Sequence, residues 1–217
     1  MKSVTFCTKD KVDIVANYWK GGRRGVVLLH MMPATKESWD RFGGQLFDAG
    51  FSVLAIDLRG HGESIFQEGK KLDYKIFTDQ EHQASIEDVE ASVSFLKNVG
   101  VKEIFLVGAS IGANLSLVYQ SEHPQIQKAI LLSPGTNYYG VRTQPSAQAL
   151  QNNQEVYLVA GVLDQRKTGN AADMAKLIAE KIPGKKEIKI YSSSAHGTDL
   201  FAEDPQLMNT LIIWLQK

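Results

Sequence analysis

The sequence has one cysteine, little proline and no excess of either charge. Of 217 residues, one is Cys and six are Pro, and Lys plus Arg and Asp plus Glu both number 24. Cys7 cannot form an intramolecular disulfide, and no second cysteine accompanies it at metal-ligand spacing, so we expect a buried or edge-strand thiol. The balanced charge offers no field that would attract nucleic acid or an anionic membrane. We therefore expect a small, roughly neutral partner molecule.

Long apolar runs are also absent. No stretch approaches the ~18 consecutive apolar residues of a membrane-spanning helix. The first residues, Met1 to Phe6, lack the apolar run of about 7–15 residues that a signal peptide needs. We therefore expect a cytoplasmic protein, although a leader removed beforehand would leave no trace in this chain. With 43% hydrophobic and 22% charged residues, the chain fits one domain over residues 1–217, and monomer and homodimer are not distinguished.

Short apolar runs alternate with longer amphipathic segments after a hairpin-like opening with a turn at Gly21 to Arg24. This alternation predicts an α/β fold, in which helices cross over the faces of a mostly parallel, twisted sheet. The expected architecture is a three-layer α/β/α sandwich. The predicted strands are Gly25–His30, Phe51–Asp57, Glu103–Gly108, Gln127–Leu132, Glu155–Ala160 and Glu187–Tyr191, and the predicted helices are Glu37–Ala49, Gln80–Val99, Ile111–Glu122, Gly169–Lys181 and Pro205–Gln216.

One strand-to-helix connection has the form G-x-S-x-G, with Ser110 at its centre between Gly108 and Gly112. This pattern places a serine on a sharp turn that projects the hydroxyl above the sheet, and small neighbours let strand and helix approach closely. The alternative is a glycine-rich connection without chemistry. Because the pattern stands between a predicted strand and a predicted helix, we interpret Ser110 as a candidate nucleophile.

A serine hydroxyl needs a base to become nucleophilic, and that base needs an orienting acid. On a sheet of this kind the partners follow later strands in the order Ser, Asp or Glu, His. His196 follows the last predicted strand, which ends at Tyr191, and fits that place. For the other histidines we expect capping or surface roles: His30, His61, His82 and His123.

Two aspartates compete for the role of the acid. Asp164 follows the strand Glu155–Ala160, in the loop from which the acid is expected, although it could instead cap the next helix. Asp199 is only three residues from His196 and more plausibly folds back on its own loop. We favour Asp164.

Several segments in the same order resemble the α/β-hydrolase superfamily, from about Val12 to Leu215. They are Leu28 to Pro33, Asp57 to Ser64, Gly108 to Gly112, Gly161 to Asp164, and His196-Gly197. The resemblance is to small lidless serine esterases and dienelactone-hydrolase-like members, although the latter carry cysteine at the position of Ser110. It implies a Ser110–His196–Asp164 triad that needs no metal or organic cofactor, and a structural role for Asp57 in its turn.

The resemblance also implies an oxyanion hole built from two backbone N–H groups, those of Met32 and Ile111. The family usually has His-Gly-x-Pro where this chain has His30-Met31-Met32-Pro33. Met31 in place of glycine could reshape this loop. Its thioether, like that of Met32, is a candidate for the acyl pocket or for packing.

Between Leu132 and Glu155, where many members carry a lid, this chain has about two dozen residues. Residues 133–154 can form a short flap, with Tyr138 as a candidate substrate contact, but not a helical cap. We therefore expect an open site that hydrolyses short-chain esters. The same triad would also serve a thioesterase, a peptidase, a lactone hydrolase or a haloperoxidase-like enzyme, and a non-catalytic ligand-binding homologue is a further alternative.

Overall fold

The computed structural model describes all 217 residues. The main sheet has ten strands, and two further pairs of very short strands form hairpins outside it. In chain order the strands are β1 (Lys2–Cys7), β2 (Val12–Trp19), β3 (Arg24–Leu29), β4 (Ser52–Ile56), β5 (Phe66–Gln67), β6 (Lys70–Lys71), β7 (Glu103–Ala109), β8 (Lys128–Leu132), β9 (Asn137–Tyr138), β10 (Val141–Arg142), β11 (Glu155–Gly161), β12 (Gln165–Arg166), β13 (Gly169–Asn170) and β14 (Lys186–Tyr191).

Six strands run parallel in the order β14-β11-β8-β7-β3-β4, and β2 continues the sheet antiparallel to β4. These six are the predicted strands, with bounds that differ by one residue at most. They are rich in Val, Ile and Leu because both faces of a parallel sheet are covered by helices. The predicted α/β/α fold is confirmed.

Helices cover the sheet on both sides. Along β3, Val27 and Leu29 belong to a core cluster of 37 buried residues, whereas Val26 and Leu28 belong to a second cluster of 24. Side chains alternate between the faces of a strand, so each cluster marks one face. The first face carries α3 (Ile86–Asn98), α4 (Ile111–Glu122), α5 (Gln144–Ala149) and α6 (Ala171–Lys181), and the second carries α1 (Asp40–Asp48), α7 (Leu200–Glu203) and α8 (Leu207–Gln216).

The predicted helix over residues 80–99 is two helices, α2 (Asp79–Gln83) and α3. The interruption lies at Ala84–Ser85, where the N–H of Ser85 binds the carbonyl of His82 three residues back. The first helix also starts earlier than predicted, because Thr78 forms a capping box with Glu81. Residues 36–39, at the start of another predicted helix, are a 3-10 turn, and residues 169–170 pair as β13.

The opening hairpin exists, but its turn is not at residues 21–24. β1 pairs with β2 through a turn at Thr8 to Lys11, where Lys11 has a φ of 69°. Residues 20–23 instead lead from β2 to β3, which are separated in the sheet by β4. Cys7 is exposed on β1, in an edge strand. No helix is long and apolar enough to cross a membrane.

The strand order places a crevice above the centre of the sheet. After β3 the chain moves to one side to form β4, and it then returns to the other side to form β7. The connections that leave β3 and β7 lead to helices on opposite faces, α1 and α4. Ligands bind at such switch points, outside the carboxyl ends of the strands. Ser110 follows β7 at this point.

Candidate active site

Ser110 lies on a strained turn between β7 and α4. Its φ of 54° and ψ of −117° fall in a region that L-residues rarely adopt, at a cost of roughly 1–3 kcal/mol. The turn is tight because strand and helix nearly touch. A Cβ on Gly108 would lie 2.1 Å from the carbonyl oxygen of Gly112, and one on Gly112 would lie 2.2 Å from that of Leu29. Both glycines of the G-x-S-x-G pattern are therefore required by close backbone approach.

The hydroxyl of Ser110 faces a cavity of about 310 Å³, which His196 also lines. This volume is at the small end of the range for small-molecule sites, about 300–1,000 Å³. The Oγ atom lies near the hydroxyl of Tyr138 but forms no well-aligned hydrogen bond with it, and the N–H of Ser110 is held by the carbonyl of Leu132 at 2.8 Å. The hydroxyl is thus available to a ligand while its backbone is fixed.

The structure brings Asp164, and not Asp199, against His196. The Nδ1 atom of His196 lies 2.6 Å from Oδ2 of Asp164, and both side chains are buried. Because an ionised carboxylate only accepts hydrogen bonds, Nδ1 carries the proton of the neutral ring and Nε2 is left with a free lone pair. Only the backbone N–H of Asp199 meets His196, at its carbonyl oxygen.

A hydrogen bond to the end of β8 fixes the loop that carries His196. The N–H of Gly197 donates to Oγ of Ser133 at 3.0 Å, and Ser133 is buried at the end of β8. Gly197 has a φ of 56°, and a Cβ there would lie 2.6 Å from Sδ of Met31. Met31 therefore packs behind the His196 loop and does not line the cavity. The side chain of Met31 was a candidate for the acyl pocket or for packing, and in the structure it packs against the second core cluster.

Met32 and Ile111 do line the cavity, next to Ser110. The N–H of Met32 makes no hydrogen bond in the protein. Ile111 is the first residue of α4, where an N–H has no acceptor within the helix. Both residues predicted to supply the oxyanion hole thus line the cavity that Ser110 lines.

The flap predicted over residues 133–154 consists of the β9–β10 hairpin and the six-residue helix α5. Asn114, buried in α4, fixes it by accepting a hydrogen bond from the N–H of Gly135 and donating to the carbonyl of Val141. Tyr138 lines the cavity, and its hydroxyl is buried without a partner. Burial, followed by the nearby Asp164 carboxylate, raises the pKa of Tyr138 to about 12.

Asp57 does not share this cavity. Its carboxylate accepts hydrogen bonds from the backbone N–H of Lys36, the ammonium of Lys36 and the N–H of Glu63. The predicted structural role of Asp57 is confirmed, because every contact it makes ties down its own turn and the loop after β3.

The surface or capping roles expected for three histidines were wrong. His30, His61 and His82 are at most 4% exposed. His30 uses both ring nitrogens, since Nε2 accepts from the N–H of Leu58 and Nδ1 donates to the carbonyl of Met31. Burial lowers the pKa of His30 to about 4, which keeps the ring neutral. His123 does cap its helix, with Nδ1 on the carbonyl of Tyr119.

Sequence reasoning missed several residues of the cavity lining, Asn137, Arg166, Lys167 and Thr168, of which Arg166 contacts the predicted acid. Arg166 donates from Nε to Oδ1 of Asp164 at 2.6 Å, opposite the bond to His196, and it also lines the cavity. Its position two residues after Asp164 was the available signal, because alternate residues of an extended strand lie on one side. No group of three or more His, Cys, Asp or Glu side chains could hold a metal ion.

Comparison with known proteins places the chain in a family. The sequence profile of a hydrolase family described as serine aminopeptidase, S33, matches residues 22–212. The chain belongs to this family. The resemblance to α/β-hydrolases is thereby confirmed, and with it a place among hydrolases.

Individual relatives are more distant. The chain is 34% identical over 131 residues to a bifunctional esterase/perhydrolase of Acinetobacter calcoaceticus, a match that covers 58% of this chain and 42% of the relative. It is 30% identical over 129 residues to a non-heme chloroperoxidase of Kitasatospora aureofaciens, a match that covers 58% of this chain and 42% of the relative. The chain thus spans less than half the length of these curated relatives.

Solved structures agree over the whole fold. An esterase of Pyrococcus furiosus has a TM-score of 0.79 at 20% identity, covering 99% of this chain and 91% of that one. An esterase of Exiguobacterium antarcticum has a TM-score of 0.77 at 13% identity, covering both chains completely. At these identities the likeness shows the fold alone.

Proposed function

We propose that this protein hydrolyses carboxylic esters with short acyl chains through a covalent intermediate on Ser110. The observation that carries the proposal is the pairing of His196 with Asp164 in the wall of the cavity that exposes the Ser110 hydroxyl. A solvent-facing serine without such a base would be a poor nucleophile at neutral pH.

In the proposed reaction, Ser110 attacks the ester carbonyl while Nε2 of His196 takes its proton. Asp164 stabilises the resulting imidazolium, and the N–H groups of Met32 and Ile111 donate to the oxyanion. His196 then protonates the departing alcohol. Water, activated by the same histidine, attacks the acyl-enzyme, releases the carboxylic acid and restores the serine.

The size of the cavity and the short flap support a short acyl chain. About 310 Å³ beneath a fixed hairpin gives no apolar channel for a long chain, and Tyr138 and Tyr139 of that hairpin form part of the wall. A p-nitrophenyl ester series tests this directly. We expect faster turnover of the C2 to C4 esters, and faster turnover of the C12 ester would contradict the proposal.

Substitution of the nucleophile tests the intermediate. We expect Ser110→Ala to lower kcat by at least about 10⁴-fold. Ser116→Ala is the matched control, because Ser116 lies in α4, the helix that follows Ser110, with its hydroxyl buried and donating to the carbonyl of Gly112. Equal activity of the two variants would contradict the assignment of Ser110.

Perhydrolysis is the second candidate, because one relative is named an esterase/perhydrolase and another a non-heme chloroperoxidase. Hydrogen peroxide would replace water as the attacker of the acyl-enzyme and yield a peracid and free Ser110. We expect peracid to form from acetate esters and peroxide only when Ser110 is present. Peracid formation by Ser110→Ala at the wild-type rate would exclude this route.

A further inference from the structure

The wall of the cavity is unevenly charged. Two of its residues, Arg166 and Lys167, are cationic, and none is an aspartate or glutamate. The carboxylate of Asp164 is buried beneath the wall and already bound by His196 and Arg166. A chain whose charges cancel overall thus presents a positive patch beside Ser110.

Arg166 is held in place with most of its donors unused. Only Nε binds Asp164, and the N–H groups on Nη1 and Nη2 have no acceptor in the protein. Its side chain remains 38% exposed. A guanidinium that is already positioned loses little conformational freedom when it binds an anion, and its planar fork suits a carboxylate.

Lys167 lies at the tip of the β12–β13 hairpin and makes no ion pair or hydrogen bond in the protein. The hairpin is anchored at its base, where Asn170 donates to the carbonyl of Val162 and caps α6. The lysine therefore faces the cavity from a fixed support and has no acidic neighbour to neutralise it.

A third observation is a buried hydroxyl in the same lining, close enough to Ser110 and Arg166 for both to affect its pKa. The hydroxyl of Tyr138 is buried, has no hydrogen-bond partner, and belongs to a side chain that is only 8% exposed. A buried polar atom without a partner carries a free-energy cost that a bound ligand can remove. Two cations and a hydroxyl without a well-formed hydrogen bond in one lining suit a polar, negatively charged group more than a second apolar chain.

We propose that the ester substrate carries a second, free carboxylate, which binds between Arg166 and Lys167 in the cavity beside Ser110. This inference rests on the proposed ester hydrolysis and names its substrate class. This substrate class differs from the roughly neutral partner expected from the net charge, because net charge does not report the local charge of a cavity.

The test compares two p-nitrophenyl esters with the same five-carbon acyl chain, the glutarate monoester and the uncharged pentanoate. We expect kcat/KM to be on the order of 10-fold higher for the glutarate monoester in wild type, a ratio that falls as salt is added. Lys167→Glu should lower this ratio by about 10-fold or more. Equal values for the two esters in wild type, or an unchanged ratio in Lys167→Glu, would overturn the inference.

Lys20→Glu is the matched control, because it makes the same charge change at the other end of the strands. Lys20 is exposed and follows Trp19, which pairs with Val53 near the start of β4. We expect its ester ratio to equal that of wild type. An equal fall of the ratio in both variants would reveal a general charge effect and overturn the inference.

Inhibition of pentanoate hydrolysis separates carboxylate recognition from other anion binding. We expect glutarate to compete and inorganic phosphate to compete less, and stronger inhibition by phosphate would overturn the carboxylate assignment. Failure of the proposed function looks different. In that case neither ester is hydrolysed and a fluorophosphonate probe does not label Ser110. If only the inference about the carboxylate fails, pentanoate is still hydrolysed and the probe still labels Ser110.

Discussion

Two aspartates follow strands of the same parallel sheet that are separated by three other strands, and they have different roles. Asp57, after β4, accepts hydrogen bonds only from its own turn and from Lys36, whose ammonium also binds Glu63. Asp164, after β11, bridges His196 and Arg166, both of which line a cavity. Burial opposes the charge of Lys36, but its hydrogen bonds outweigh burial and raise its pKa.

The difference teaches how to separate structural from chemical polar clusters. In the first, every donor of the Asp57 carboxylate is part of the loops that it holds, so nothing is left for a ligand. In the second, Ser110, His196, Met32 and Ile111 line one cavity, and the N–H of Met32 makes no hydrogen bond in the protein. Unused hydrogen-bonding capacity around a cavity, and not burial of charge, marks the candidate site.

The largest expected contrast comes from removing one charge in each cluster. We expect Asp164→Asn to lower kcat on the order of 10⁴-fold with little change in the free energy of unfolding, because the amide misorients the histidine. We expect Asp57→Asn to lower that free energy by about 3 kcal/mol, since it leaves the buried Lys36 ammonium partly unpaired. Ester hydrolysis and urea unfolding of both variants provide the check.

The contrast between the two aspartates would be wrong if Asp57→Asn lost activity and Asp164→Asn lost only stability. An inactive but fully stable Asp57→Asn protein would make Asp57 the functional acid, and an active Asp164→Asn protein would remove Asp164 from the mechanism.

Acid should lower the free energy of unfolding through two buried histidines at the Asp57 turn, His30 and His61. Burial lowers the pKa of His30 to about 4 and, together with the nearby His30, that of His61 to about 3, against 6.5 without the fold. The unfolded chain therefore binds more protons below pH 6.5. Stability is fully present above that pH and is lost as pH falls towards 4, by about 2 kcal/mol for each histidine between pH 7 and pH 5.

Urea unfolding at pH 7 and pH 5 measures this loss. His61→Gln removes one titrating ring, and we expect its loss between the two pH values to be smaller than that of wild type. An identical loss would show that His61 does not contribute.

The support of the His196 loop should have a smaller effect. Ser133→Ala leaves the N–H of Gly197 without its acceptor, and we expect it to cost about 1–2 kcal/mol of stability. Because Gly197 adjoins His196, kcat should fall several-fold while KM changes little. Ser116→Ala, which also removes a buried hydroxyl, should leave kcat unchanged. A kcat of wild-type size in Ser133→Ala would show that this bond does not position the histidine.

The smallest expected change in stability belongs to Tyr138→Phe. Removing a buried hydroxyl that has no partner should leave the free energy of unfolding equal to wild type, or higher by up to about 1 kcal/mol. If the hydroxyl meets the substrate, kcat/KM falls several-fold at the same time. A loss of stability above 1 kcal/mol, measured by urea unfolding, would show that the hydroxyl has a structural partner.

The sequence predicted what depends on local backbone chemistry. Ser110 could be predicted because β7 and α4 approach so closely that only glycine fits at positions 108 and 112. This requirement produces the recognisable five-residue pattern G-x-S-x-G. The six parallel strands followed from their apolar runs for a similar reason. The predicted architecture supplied the order of Ser110, Asp164 and His196, because on a sheet of this kind the partners follow later strands.

Contacts between distant segments were not predictable in this way. The hydrogen bond from Gly197 to Ser133 joins positions 64 residues apart, and nothing in either segment indicates it. His30 and His61 are buried because their rings pack against one another and His61 stacks on Tyr74, again through tertiary contacts. Net charge likewise gave no sign of the cations at the cavity.

The central claim, that Ser110 is the nucleophile, is tested most directly by covalent labelling with a fluorophosphonate probe. The account predicts one adduct per chain, located on Ser110 by peptide mass analysis, absent from Ser110→Ala and present in Ser116→Ala. No adduct on the wild-type protein, or equal labelling of Ser110→Ala, would contradict it.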